Sequence, residues 1–175
     1  MVSADLSQLD DSARRILAVA SSIADQQMAP RISWRHVLAG AMYLAPAFEA
    51  GLRALSVSRE SVLGNPIQLV GEPAEVLRIG TSTPMPLSAE VASAIANSDG
   101  TAGSLVRKTL SGSRDEVIRL VGTARRFAHV LQTLRDLDSW VEEQQRANRQ
   151  FEARTDSRPV GEVVVLRELP EDGPK

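Results

Sequence analysis

The sequence predicts an all-α fold that carries one short β-strand near its C-terminal end. Apolar residues recur at helical spacing in several separate stretches of the 175 residues, and serine or aspartate stands where the helices would begin. The stretch VGEVVVLREL at 160–169 is rich in β-branched residues and indicates the strand. A hydrophobic content of 43% and a charged content of 24% are typical of a globular protein with its own core.

The first half, residues 5–64, is predicted to contain four helices. Apolar side chains at helical spacing form the inner side of these helices, and Pro30 ends the first one. Pro46 suits the first turn of the third helix, where its missing N–H leaves no hydrogen bond unmade. The expected N-caps, whose side-chain oxygens accept free backbone N–H groups, are Asp10 or Asp11, Ser33 and Ser58.

Residues 65–86 are predicted to form a surface connector, because their prolines and glycines exclude a long helix. The second half, 87–141, begins with Ser88 as a cap and continues through a turn and a short helix. The sequence SRDE at 113–116 is a capping-box pattern that opens the longest helical signal in the chain. Residues 142–175 are expected to hold a polar extension of this helix, the strand and a tail.

The two halves can be aligned with each other, which predicts an internal repeat. Residues 9–13 match 87–91 at an offset of 78 positions, and 33–38 match 113–118 at an offset of 80. In the second copy, a Gly/Ser-rich turn replaces the connection between the first two helices. The second and third helices of that copy are expected to be fused into one long helix.

This helical layout resembles the repeat of the Clp N-terminal domain, which is itself a tandem repeat with a similar period. His36, three residues into the second helix, matches a histidine of the family. In Clp ATPases the domain stands in front of the motor and receives substrates and adaptors. The resemblance covers residues 5–140 and implies two helical repeats with pseudo-two-fold symmetry, the second of them degenerate. No GxxxxGK[ST] pattern, which marks an ATPase motor, occurs in the sequence. The resemblance therefore implies the binding function of the domain without the motor.

The resemblance also implies a candidate partner site. In the family the second helix often begins with a Thr-Glu-His triplet, whereas this chain has Trp34, Arg35 and His36. In some Clp proteins the acidic residue helps to bind phosphorylated arginine, whose guanidinium Arg35 would repel. We therefore expect a partner site that does not bind phosphoarginine at this triplet. Glu116 lies near the aligned place in the second copy and belongs to the same candidate site.

Motifs that carry enzyme or metal chemistry are not found in the sequence. There is no HExxH motif, no cluster of His and Asp, no GxSxG motif and no cysteine. We expect no catalytic residue, no metal site and no cofactor, although the many serines leave a Ser-His-Asp arrangement open. The second half also carries a basic stretch, interpreted as a solvated helix face, that contains Arg119, Arg125, Arg126 and Arg135.

The composition points to a cytoplasmic protein. The N-terminal residues contain neither a basic segment nor an apolar one, so no signal peptide is expected. The longest apolar stretch, 37–48, is shorter than the roughly 20 residues that a membrane span requires. The absence of cysteine is compatible with a reducing compartment, and the preference for Arg over Lys suggests a bacterium with GC-rich coding.

Three functions are compatible with the sequence. The first is a non-catalytic protein–protein interaction module that binds a peptide or partner protein, such as a Clp-type ATPase or its substrate, as an adaptor, decoy or accessory subunit. The second is a homo-oligomeric scaffold or regulator whose interface uses the long helix and the strand, through Leu131, Leu134, Val141 and Val164. The third is a DNA-binding regulator, which the formal net charge of −2 disfavours.

Overall fold

The computed structural model describes residues 6–65 and 86–156. These residues are predominantly helical, which confirms the all-α class for the described part of the chain. The strand predicted at 160–169 lies outside it. The helices are α1 (Asp11–Gln26), α2 (Trp34–Leu44), α3 (Pro46–Ala54), α4 (Arg59–Leu63), α5 (Ala89–Asn97), α6 (Ala102–Gly112), α7 (Arg114–Val121), α8 (Ala124–Thr133) and α9 (Leu137–Asp156), with a 3-10 turn at Leu134–Asp136.

The core of the first half is the contact between α1 and α2, which is the most extensive helix pair in the described residues. Small residues allow the two backbones to approach closely. A Cβ atom added at Gly40 of α2 would stand 2.8 Å from the carbonyl oxygen of Ile16 in α1. Glycine is therefore required at this crossing because any side chain would push the helices apart.

Two reciprocal hydrogen bonds connect the halves of the chain. The backbone N–H of Asp10, the N-cap of α1, donates to the carbonyl of Gly100 in the loop between α5 and α6, at 2.9 Å. The N–H of Ser88, the N-cap of α5, donates to the carbonyl of Ile32 in the loop between α1 and α2, also at 2.9 Å. The N–H of Ile32 donates in turn to Pro86, which completes a short parallel bridge. Each half therefore holds the start of the other half's first helix.

The order and the lengths of the helices can be compared between the two halves. Helices α2 and α6 each contain 11 residues, and a single residue, Ala45 or Ser113, separates each from the next helix. Ser33 is the N-cap of α2, while Thr101 is the N-cap of α6. These two N-caps are 68 positions apart. The predicted alignment pairs Ser33 with Ser113. Ser33 precedes the second helix of its half, whereas Ser113 precedes the third helix of the other half.

The long helix predicted to open at 113–116 is divided in the structure. Gly122 adopts a left-handed conformation, with φ of +91°, and its N–H donates to the carbonyl of Ile118 at the end of α7. The side chain of Thr123 then accepts the N–H of Arg126 and caps α8. A glycine followed by a threonine thus supplies both a helix end and a new start, so the expected fusion of the second and third helices is wrong.

Helix α9 packs onto the body of the fold through Asp138. Both oxygens of this carboxylate accept the backbone N–H of Gly103 in the first turn of α6, at 3.1 and 3.2 Å. Burial raises the pKa of Asp138 above its ordinary value, against the effect of these hydrogen bonds. Nowhere in the described ranges does a helix combine the length and the apolar character that crossing a membrane requires.

Candidate functional site

A hydrogen bond joins two of the four predicted partner-binding residues. The indole Nε1 of Trp34 donates to Oε2 of Glu116 at 2.9 Å, although 82 positions separate these residues in the chain. The Trp34 side chain is only 2% exposed, whereas Glu116 lies at the surface of α7. The bond links the start of α2 in the first half to α7 in the second.

Arg35 covers the same tryptophan and caps a neighbouring helix. Its guanidinium carbon lies 5.0 Å from the centroid of the Trp34 ring, within the range of a cation–π interaction. One of its terminal nitrogens donates to the carbonyl of Val62, in the last turn of α4, at 2.9 Å. Arg35 therefore provides a positive charge and a donor where the free carbonyls of a short helix need them.

His36 makes a hydrogen bond through each ring nitrogen. Its Nδ1 accepts the backbone N–H of Ser33 at 2.9 Å, so Nε2 carries the proton and donates to Oε1 of Gln27 at 2.9 Å. Gln27 in turn donates to the carbonyl of Leu63 at 3.2 Å. Burial, assisted by the charge of Arg35, lowers the pKa of His36 below its ordinary value. The imidazole is held neutral and joins the ends of α1 and α4 to the start of α2.

Each residue of the triplet contacts another helix of the chain. Trp34, Arg35 and His36 contact α7, α4 and the end of α1 respectively. Of the four residues, Glu116 is exposed and Arg35 is half-buried. A role for these residues in partner binding remains a prediction, to which the structure adds an internal function for each side chain.

The predicted oligomer interface lies mostly in the core. Leu134 and Val141 are each only 1% exposed and belong to the same hydrophobic cluster as the helices of the first half. Leu131 is partly buried and packs against that cluster. Val164 lies outside the described residues. The apolar stripe that suggested self-association therefore serves intramolecular packing at these three positions.

An open groove of about 280 Å³ lies between α6 and α8. Its apolar floor is formed by Ala128 and Leu131, and Arg107 and Arg135 are the charged side chains that line it, together with Gln132. One terminal nitrogen of Arg107 donates to the carbonyl of Leu131 at 3.2 Å, which holds the guanidinium beside the floor. We call this feature the arginine groove.

The arginines that line the arginine groove are exposed to solvent. Arg107 and Arg135 are exposed, and no salt bridge is found for either one among the described residues. Helical spacing places Arg125 and His129 on the same exposed face of α8 as Gln132. This surface can therefore attract negative charge.

Sequence reasoning identified part of this surface. The basic stretch that contains Arg125 and Arg135 was visible in the sequence and was interpreted as a solvated face. The spacing of Arg125, Ala128 and Gln132 at i, i+3 and i+7 was a further signal of one exposed face. The sequence alone could not assign Arg107 to this surface, because only the tertiary fold brings α6 and α8 together.

No protein-family model matches the chain, and no curated protein sequence matches it. Within 6–65 and 86–156, no group of three or more His, Cys, Asp or Glu residues is arranged to hold a metal ion. Function is therefore inferred from the fold and from the arginine groove.

Proposed function

We propose that this chain is a non-catalytic protein–protein interaction module that resembles a Clp N-terminal domain. In this role it binds a peptide or a partner protein, as an adaptor, decoy or accessory subunit of a Clp-type or neighbouring system. The observation that carries the proposal is the pair of reciprocal hydrogen bonds between the halves. In a tandem repeat with pseudo-two-fold symmetry, a contact between the repeats occurs twice with the roles of the repeats exchanged.

The two bonds meet this criterion residue by residue. The donors, Asp10 and Ser88, are the N-caps of the first helix in each half, and they stand 78 positions apart. The acceptors, Ile32 and Gly100, each stand two positions before their half's second helix, 68 apart. The offset falls because α1 has 16 residues and α5 only nine, and because the following loop is also shorter in the second half. This agreement supports a tandem repeat.

A binding function is further supported by the arginine groove. Its two exposed arginines have no carboxylate partner among the described residues, and it adjoins apolar side chains that remain accessible. Interfaces commonly combine an apolar centre with arginine side chains. A surface of this kind suits a protein ligand.

The test is affinity purification of the tagged chain from its own host, followed by mass spectrometry. We expect a second protein at a constant ratio to the chain, retained after washing at about 0.3 M salt, where surface charge pairs alone are largely screened. A tagged unrelated helical protein of similar charge is the control. Recovery of the chain alone, in an oligomer of fixed size, would reject the module and support self-association.

A homo-oligomeric scaffold is the second candidate, and a different feature favours it. The side chain of Phe151 is 65% exposed near the end of α9, in a helix whose sequence after Val141 is largely polar. Light scattering at micromolar concentration tests this candidate. A dimer that dissociates in Phe151→Ser but persists in Met28→Ser, which changes another exposed apolar residue, would support it.

A further inference from the structure

We propose that the arginine groove binds an extended segment of a partner protein in which carboxylates stand on both sides of an apolar side chain. The inference rests on the proposed function, since it names the chemistry of the partner. The apolar side chain lies on Ala128 and Leu131, and the flanking carboxylates pair with Arg107 and Arg135.

The groove has the dimensions and the polarity for such a segment. Its volume of about 280 Å³ accommodates one large side chain with its flanking backbone, and it is open, so an extended chain can lie along it. Arg107 uses one terminal nitrogen to donate to the carbonyl of Leu131, and within the described residues its other N–H groups can donate to a ligand. Because this bond already orients the guanidinium, less side-chain entropy is lost on binding.

Charge complementarity identifies the ligand as acidic. The segment 102–136, which runs from α6 through the 3-10 turn, contains seven basic residues and three acidic ones, a local charge of +4 in a chain whose formal net charge is −2. The basic residues of the segment are Arg107, Lys108, Arg114, Arg119, Arg125, Arg126 and Arg135. The three acidic residues, Asp115, Glu116 and Asp136, do not line the groove. A carboxylate approaching the groove therefore meets attraction from several cations.

A peptide fits the groove better than a nucleic acid does. Among the described residues no aromatic side chain lines it, so bases would lack the aromatic stacking surface that single-strand binding sites commonly provide. The aliphatic floor would instead face phosphates and sugars, which gain little from it.

The experiment is a fluorescence-anisotropy titration of the full chain with three labelled probes. The first is the acidic peptide Ser-Glu-Glu-Leu-Glu-Glu-Ser, the second replaces every glutamate with glutamine, and the third is a single-stranded oligothymidylate of similar length. We expect saturable binding of the acidic peptide, at least about tenfold weaker binding of the glutamine peptide, and weakening as salt is raised.

Charge reversal locates the site. We expect the double variant Arg107→Glu/Arg135→Glu to bind the acidic peptide at least about tenfold more weakly than the native chain. The double variant Lys108→Glu/Arg119→Glu changes the net charge equally at exposed positions that do not line the groove, and we expect it to retain most of the binding. If the first variant fails to fold by circular dichroism, Arg107→Gln/Arg135→Gln replaces it.

Three results would overturn the proposal: no binding of the acidic peptide, equal weakening by the two charge-reversed variants, or tighter binding of the oligothymidylate than of the peptide. The proposed function fails separately. One outcome is that the chain and its Arg107→Glu/Arg135→Glu variant capture the same partner from the host equally well. That result would support the interaction module and would show that the partner does not bind in the arginine groove.

Discussion

His36 shows how one buried side chain can hold several elements together. Its two ring nitrogens bond to Ser33 and Gln27, and Gln27 extends the connection to the carbonyl of Leu63. The arrangement requires a neutral imidazole, because Nδ1 must accept a hydrogen bond from the backbone. Protonation would replace this acceptor with a second donor and would place a charge beside Arg35.

The stability of the chain should therefore depend on pH through His36. Because its folded-state pKa is lowered, the unfolded chain binds the proton more tightly than the folded one. The contribution of His36 is fully present above the ordinary pKa of 6.5 and is lost as the pH falls through the folded-state value. Chemical denaturation from about pH 7.5 to about pH 5.5 should show a falling free energy of unfolding, by at most about 1.4 kcal/mol per pH unit.

Two variants identify the titrating residue. His36→Gln should lower stability by about 1–3 kcal/mol and remove most of this pH dependence, because buried hydrogen bonds are lost. The control is His129→Gln, which removes an exposed histidine and should leave the free energy of unfolding near its native value. A free energy of unfolding that stays constant or rises as the pH is lowered would contradict the assignment.

Gly40 carries the close crossing of α1 and α2. The substitution Gly40→Ala places a methyl group 2.8 Å from the carbonyl oxygen of Ile16, so it should lower the free energy of unfolding by about 1–3 kcal/mol. Gly51→Ala is the matched control within α3, where the new Cβ has ordinary contact with Thr133 at 3.7 Å. This control should stabilise the chain by up to about 1 kcal/mol through helix propensity. Equal effects of the two substitutions would refute the close crossing.

At the level of helices, Asp138 attaches α9 to the start of α6. Its carboxylate accepts the N–H of Gly103, a donor that has no partner within its own helix. The space is tight, because a Cβ added at Gly103 would stand 2.7 Å from one carboxylate oxygen. The contact joins elements that begin 35 residues apart.

Substitution of Asp138 separates its hydrogen bond from its charge. Asp138→Ala leaves the N–H of Gly103 without this acceptor and should lower the free energy of unfolding by about 1–3 kcal/mol. Asp138→Asn keeps an acceptor oxygen and removes the unfavourable burial of charge, so we expect a loss below about 1 kcal/mol. Hydrogen exchange should show faster exchange of the first turns of α9 in Asp138→Ala. A larger loss in the asparagine variant would contradict this role.

The sequence contained enough information for most helix starts but not for their connections. Ser33, Pro46 and Ser58 all lie where the capping and first-turn patterns placed them. The helix break at Gly122 was missed because apolar residues keep their helical spacing on both sides of it. Leu134 and Val141 were expected to be buried in one continuous helix, and they are also buried in the divided one. Periodicity reports which side chains turn inward, and it does not report whether the backbone is continuous.

The candidate site was harder to predict because its contacts cross the chain. The bond between Trp34 and Glu116 joins residues 82 positions apart, and no local pattern indicates it. The arginine groove likewise requires Arg107 from α6 beside Arg135. The first feature follows from how the two halves pack and the second from how helices pack within the second half, and single-sequence patterns contain neither.

For the whole molecule, the reciprocal bonds mean that neither half is completed without the other. Gly100 supplies one acceptor with a φ of +90°, and a Cβ added there would collide with the carbonyl oxygen of Gln8. Gly64 also has a positive φ, of +78°, but nothing lies within 4 Å of an added Cβ. The contact between the halves therefore depends on a glycine at position 100 but not on one at position 64.

We expect Gly100→Ala to destabilise the chain by at least about 2 kcal/mol, because backbone strain and a clash between the halves add together. Gly64→Ala should cost about 1 kcal/mol, from strain alone. Thermal denaturation of both variants measures the difference, and each transition should remain cooperative. Equal losses in the two variants would show that the halves do not interlock through Gly100.

The proposal that a protein partner occupies the arginine groove is tested most directly by photo-crosslinking in the host. The photoreactive residue p-benzoylphenylalanine replaces Gln132, which lines the groove, or Glu60, an exposed residue of α4 in the other half. We expect irradiation to join a second protein, through an acidic segment, to the chain labelled at position 132 and not to the chain labelled at position 60. Adducts with a second copy of this chain, or adducts only at position 60, would contradict the proposal.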